Sequence, residues 1–207
     1  MNIRCIIAKA LKILLNPAAL NNCNVDKTAK VCSRSELTRC RIGRYSYIGQ
    51  QCFMVNVKIR SFCSIADRCS IGGATHPIEY ISSSPVFHEG RNILNKNFST
   101  HSIEHTLETS IENDVWLGQG VFIKAGIHID NGAVIGMNSV VLNDVGPYEI
   151  WAGNPARFIR KRFDDKIIDK LMEIKWWEWS DDKILRYAQF FNDPERLLKV
   201  LEVDFEK

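Results

Sequence analysis

Long apolar runs are missing from this chain of 207 residues. The most hydrophobic stretch, MNIRCIIAKALKILLNPAAL at residues 1–20, is broken by Arg4, Lys9 and Lys12. A leader peptide or membrane span is therefore not expected there. Ile3, Ile6, Ile7, Ala10, Leu11 and Leu14 fall at helical spacing, so the segment reads as an amphipathic helix that caps the fold or touches a membrane surface. A surplus of one charge is missing too: 27 basic and 24 acidic residues leave a net charge of +3. With no dense basic run carrying interleaved aromatics, nucleic acid is not an expected partner. Metal-ligand spacing is absent among the 7 cysteines, and their odd number argues against a disulfide framework. Free thiols in a reducing cytoplasm, without a metal, are the expectation. Nor is the composition that of a disordered chain, since 45% of it is hydrophobic.

What is present is a period. Ile111, Leu117, Ile123, Ile129, Ile135 and Val141 stand six positions apart, heading the units IENDVW, LGQGVF, IKAGIH, IDNGAV, IGMNSV and VLNDVG. The aliphatic first residue points into a narrow interior and the small fifth residue packs beside it. Gly, Asn or Asp between them suits a corner. Three units close one triangular coil, and coils stack as parallel strands about 4.8 Å apart. Earlier units are headed by Val25, Val31, Ile42, Ile48, Ile59, Ile65 and Ile71, with slips of frame around Leu37 and around Met54 to Val57. Cys52, Cys63 and Cys69 occupy the small fifth place and are expected in the core. An all-β solenoid from about 24 to 146 follows, since sandwich strands would alternate with period two.

The pattern changes at Pro147. DDKIIDKLMEIKWWEW reads as helix, Ser180 caps a second, and Asp193 with Pro194 opens a third. Trp176, Trp177 and Trp179 are expected as core anchors. The chain thus divides into an N-terminal helix or cap at 1–22, a solenoid at 23–156 with an inserted loop at 74–110, and a basic turn with helices at 157–207. That insertion, where the register vanishes and then resumes in phase at Ile111, is an expected functional excursion.

The units resemble the hexapeptide repeat of the left-handed parallel β-helix acyltransferases, and the handedness is implied by that resemblance alone. The excursion opening GGATHPIEYISSSPVF, Trp116 in DVWLG, and the Ala-Gly-Asn-Pro-Ala run at 152–156 narrow it to the xenobiotic acetyltransferase branch. That branch includes streptogramin and chloramphenicol acetyltransferases and related sugar O-acetyltransferases. The resemblance implies an O-acetyltransferase with His76 as general base, acetyl-CoA as acyl donor, and a homotrimer with active sites between subunits. Imidazole suits the task because it is neutral near pH 7 and takes a hydroxyl proton during attack. The resemblance also implies a donor groove bounded by Trp116, with small residues at Gly118, Gly136, Ala152 and Gly153 and with Arg157 and Arg160 facing phosphate. Lys161 and Arg162 are further basic candidates. Gln119, Met137 and Leu142 depart from the smaller or hydroxylated residues common there.

For the acceptor, Glu79, Tyr80, His88 and Asn92 are the candidate contacts, and the polar look of HEGRNILNKNFSTHSIEH points first to a sugar or saccharide. An antibiotic-inactivating acetyltransferase is the alternative, to be separated by whether the pocket is apolar. A non-catalytic scaffold is a third reading. His101 and His105, four residues apart, raise zinc hydration chemistry as a fourth, while His128 ends a unit and suits a subunit contact.

Overall fold

The computed structural model describes residues 16–103 and 107–205. Most of the amphipathic segment expected at 1–22, and His105, therefore lie outside the described residues. Within them the backbone winds as a parallel β-helix of three faces. The first face stacks Ala19–Asn21, Glu36–Thr38, Phe53–Val55, Ser70–Gly72, Phe122–Ile123 and Val140–Val141. The second stacks Asn24–Val25, Arg41–Ile42, Val57–Ile59, Thr109–Ile111 and His128–Ile129. The third runs from Lys30–Val31 through Tyr47–Ile48, Ser64–Ile65, Trp116–Leu117 and Val134–Ile135 to Glu149–Gly153, and ends with the antiparallel strand Ala156–Lys161. The stretch read as a basic turn is thus the second strand of a hairpin.

Strands this short follow from the six-residue unit, in which one aliphatic side chain turns inward before the next corner arrives. Ile48, Ile65, Leu117 and Ile135 are at 0% exposure, and Cys52, Cys63 and Cys69 are at 1% or less. Each inward Ile or Leu contributes about 1.5–3 kcal/mol of burial. The slips of frame have a regular cause. Early coils repeat every 17 residues, as in Gln50 bonding Asp67, and later ones every 18, as in Asn113 bonding Asn131. Leu37 and Met54, at 1% and 0% exposure, head the shortened units. Corners need left-handed backbone, and Gly132 (φ +70°) supplies it where a Cβ would lie 2.5 Å from the Tyr148 ring.

The excursion leaves after Ser70–Gly72 on the first face and returns as Thr109–Ile111 on the second. The ladders close across the gap, with Ser70 paired to Phe122 and Lys58 to Ser110.

Three helices cover the corner between the second and third faces: α1 (Asp165–Ile174), α2 (Asp181–Tyr187) and α3 (Pro194–Phe205). Asp164 caps α1 by accepting from the Ile167 N–H at 2.9 Å, and Ser180 caps α2 by accepting from Lys183 at 3.3 Å. The expected single helix through the tryptophans stops at Lys175 (φ 43°), and a 3₁₀ turn then buries Trp176 and Trp177. Trp179 is buried with them. Arg44 ties this cluster to the coils by donating to the Trp177 carbonyl at 2.9 Å and to that of Trp179, while lying 5.1 Å from the Phe62 ring centre.

Burial also governs the thiols. It pushes Cys40 up to about 11 and Cys63 up to about 12, and Cys52 and Cys69 are equally enclosed. A thiol reagent at pH 8 should therefore leave these four silent in the native protein and find them only on unfolding in guanidinium. Rapid native labelling of any of them, read by mass spectrometry, would contradict the packing.

Candidate active site

His76 sits in the excursion just after it leaves the corner between the first and second faces. Its Nδ1 lies 2.8 Å from the Ser83 carbonyl oxygen. A carbonyl only accepts, so Nδ1 is the donor, and in the neutral ring this tautomer leaves the lone pair on Nε2, as a general base requires. The same bond closes a loop whose inner residues, Glu79 to Ser82, wall a cavity of about 720 Å³. Phe87, Phe98, Ser99 and His101 form the opposite side.

The walls are braced. The Tyr80 ring is held edge-on by His88 and His101, each with ring centres 6.0 Å away, and His88 lies 6.5 Å from His76. Phe87 and Phe98 pair at 5.9 Å. The Phe98 N–H donates to Val86 at 2.6 Å and the Ser99 hydroxyl to Phe87 at 2.5 Å, which pins the second wall to the first turn of the excursion.

Of the four candidate acceptor contacts, Glu79 and Tyr80 are among the lining residues of this cavity. His88 and Asn92 are not. His88 is at 1% exposure, packed edge-on against Tyr80. Asn92 spends its amide on its own turn, donating to Pro85 at 3.2 Å and Lys96 at 3.0 Å and accepting from Leu94 at 2.9 Å. The polar look of the segment is not that of the cavity, whose walls Tyr80, Ile81, Phe87 and Phe98 make mainly apolar. Phe87, Phe98 and His101 escaped sequence reading. The signal was faint: two aromatics ten or so positions apart in a stretch with no period.

The donor candidates lie elsewhere. Trp116 is on the third face, 53% exposed, over a cavity of about 440 Å³ lined also by Ser64, Val134, Ile150 and Arg160. In a triangular coil the third face is opposite the corner that carries His76. Within one chain the two do not meet. Gly118, Gly136 and Ala152 stack at one edge of that face, but Gly118 is buried, and a Cβ there would lie 2.6 Å from the Met137 backbone nitrogen. The next coil, rather than a ligand, is what requires glycine at 118. At Gly136 a Cβ would lie 2.9 Å from that of Ala152. Gly153, Arg157 and Arg160 are exposed on the terminal hairpin, the two guanidinium groups bonding, among the described residues, neighbouring carbonyls at 3.0 and 2.9 Å. They are free to turn toward a phosphate. Met137, 72% exposed, rims the same edge.

Arg162 is committed elsewhere. It donates to Asp114 at 3.0 Å and to the Gly132 carbonyl at 2.7 Å. Burial raises the Asp114 pKa, and the Arg162 charge opposes that shift. His128 is on the second face, its Nδ1 2.7 Å from the Ser110 hydroxyl, and it lines neither cavity. His101 joins His88 in an isolated bridge, not a helix, which removes the geometry that a four-residue zinc spacing needs. Among the described residues no cluster of His, Cys, Asp or Glu is arranged to hold a metal.

Over 142 residues, 68% of its length, the chain is 37% identical to a probable macrolide acetyltransferase of Lysinibacillus sphaericus, and the match spans 76% of that protein. This chain is a hexapeptide-repeat acetyltransferase. No family model matches it. The acetyltransferase is also 42% identical over 129 residues to a chloramphenicol acetyltransferase of Morganella morganii, a match covering 61% of each chain and hence less than two thirds of that relative. Among solved structures, AntD, an N-acyltransferase from Bacillus cereus crystallised with dTDP and 3-hydroxybutyryl-CoA, superposes with a TM-score of 0.51. The superposition covers 81% of this acetyltransferase and 94% of AntD at 18% identity, so it bears on the fold alone.

Proposed function

We propose that the protein transfers an acetyl group from acetyl-CoA to a hydroxyl of a small acceptor with an apolar body, His76 acting as the general base. The observation that supports this reading is the His76 to Ser83 bond, which leaves Nε2 of the neutral ring free and closes the loop that walls the cavity. Acetyl-CoA supplies a thioester carbonyl as the electrophile. His76 Nε2 takes the acceptor's hydroxyl proton as its oxygen attacks that carbonyl. The imidazolium then returns the proton to the departing sulfur, leaving an acetyl ester and a free thiol. Trp116, Gly153, Arg157 and Arg160 bind the donor, with the guanidinium groups meeting its phosphates.

Because His76 and Trp116 face away from each other in one chain, the working unit is an oligomer, and a homotrimer with a site at each subunit boundary meets the requirement. The apolar walls favour an antibiotic-like acceptor, in line with the macrolide and chloramphenicol relatives. A saccharide is the second reading, favoured by Glu79, Ser82 and Ser99 at the same cavity. Free thiols among the described cysteines suit a cytoplasmic setting.

Mixed assembly tests the shared site. A His76→Asn chain co-assembled with a Trp116→Ala chain should transfer acetyl faster than either variant alone, because one boundary then carries an intact His76 and an intact Trp116. Activity no greater than the mean of the two, with a monomer in sedimentation, would refute it.

A further inference from the structure

The cavity beside His76 combines two features that a purely apolar pocket does not need. Its lining includes the aromatic residues Tyr80, Phe87 and Phe98, and the acidic residue Glu79. Among the described residues no cation lies within ion-pair distance of that carboxylate. The Phe98 ring already takes a cation from the protein itself, since the Lys96 ammonium is 5.2 Å from its centre. Aromatic faces attract cations through their quadrupole, more strongly when water is excluded, and an adjacent carboxylate adds a counter-charge.

We propose that this cavity selects acceptors bearing a protonated amine as well as the hydroxyl, with the ammonium lodged among Tyr80, Phe87 and Phe98 and neutralised by Glu79. The proposal rests on the reading of the excursion as the acceptor site and adds its charge preference. The net charge of +3 does not oppose it. At physiological salt, charges more than about 8 Å apart are largely screened, so the groups at the cavity decide: Glu79 is among its lining residues, whereas Lys96, 5.2 Å from the Phe98 ring centre, is not. The substrate class is then an apolar body carrying a basic nitrogen, as in amino-sugar-bearing or alkylamine-bearing hydroxyl compounds, and a neutral polyol is disfavoured. His76 still receives the hydroxyl proton, because an amine already protonated is no nucleophile.

Two readouts test this. The first is calorimetric or saturation-transfer binding of benzyltrimethylammonium against neutral benzyl alcohol to the full chain. The expected result is a preference of about tenfold for the cation, cut severalfold by Glu79→Gln and by Phe98→Leu. The second is thiol release with 4-nitrophenyl β-glucoside and its 2-amino-2-deoxy counterpart, the amine kept protonated below pH 7, where the ratio of kcat/KM should favour the amine and fall toward one in Glu79→Gln. Equal binding of the two probes, or a ratio unmoved by Glu79→Gln, overturns the proposal. Activity surviving in His76→Asn would instead sink the reading of the site, a failure the binding comparison does not share.

Discussion

His76→Ala should lower acetyl transfer by about 10²–10⁴-fold, the range a positioned general base contributes, while acetyl-CoA still binds with unchanged stoichiometry. The donor contacts proposed here lie on the third face, away from the excursion, which is why binding should survive. Alanine also breaks the bond to the Ser83 carbonyl, however, and so loosens the cavity wall. Asparagine separates the two effects, because its amide N–H reaches toward the same carbonyl but offers no base. Both variants should be nearly inactive in single-turnover thiol release. An active His76→Asn would reduce the histidine to a brace, and a loss smaller than tenfold in His76→Ala would remove it from the chemistry.

The largest expected loss of stability comes from Arg162. Its guanidinium bonds Asp114 and the Gly132 carbonyl and lies 5.2 Å from the Tyr148 ring centre and 5.3 Å from that of Phe163. Arg162→Met keeps much of the packing but leaves the Asp114 charge without its partner. Unpairing a buried ion pair costs about 3–5 kcal/mol, and the lower end applies because these side chains retain 28% and 29% exposure. The pH dependence has a definite sign. Burial holds the Asp114 pKa above its ordinary value even with Arg162 present, and removing the cation raises it further. A carboxyl raised in the folded state weighs against folding once ionised, and that penalty is relieved as pH falls through the folded value. The deficit of Arg162→Met, measured by urea unfolding, should therefore be largest near pH 8 and smaller near pH 5. Adding Asp114→Asn should recover part of the loss and flatten the profile. A deficit that grows on acidification would contradict the assignment.

The core was legible because its rule is local: an aliphatic residue every six positions and a small one four places after it name nearly every buried side chain of the coils. Even the slips around Leu37 and Met54 become regular once the early coils are known to be one residue short. The corners were less legible. Tyr45, Phe62 and Arg68 adopt positive φ of 55°, 64° and 60°, where sequence reasoning looks for Gly or Asn. Stacking of neighbouring coils and the contacts of the helical cluster override that preference. Around the candidate site, His76 was accessible through resemblance, but which residues line the cavity next to its loop was not. The excursion has no period, so only tertiary contacts separate Tyr80, which lines the cavity, from His88, which does not. The placement of Trp116 was implicit in the count of units from corner to face, yet its separation from the corner that carries His76 emerges only when the triangle is drawn.

The way residues 73–108 are inserted has a consequence for how such enzymes diversify. The segment departs and re-enters at a single corner, and the strands on either side remain paired as though it were absent. Lengthening such a segment is cheap, since doubling a flexible loop costs only about 0.6 kcal/mol of closure entropy. A lineage can therefore exchange one such segment for another without renegotiating the coils on either side. A change of a few dozen residues then suffices, and the rest of the solenoid is free to stay as it was.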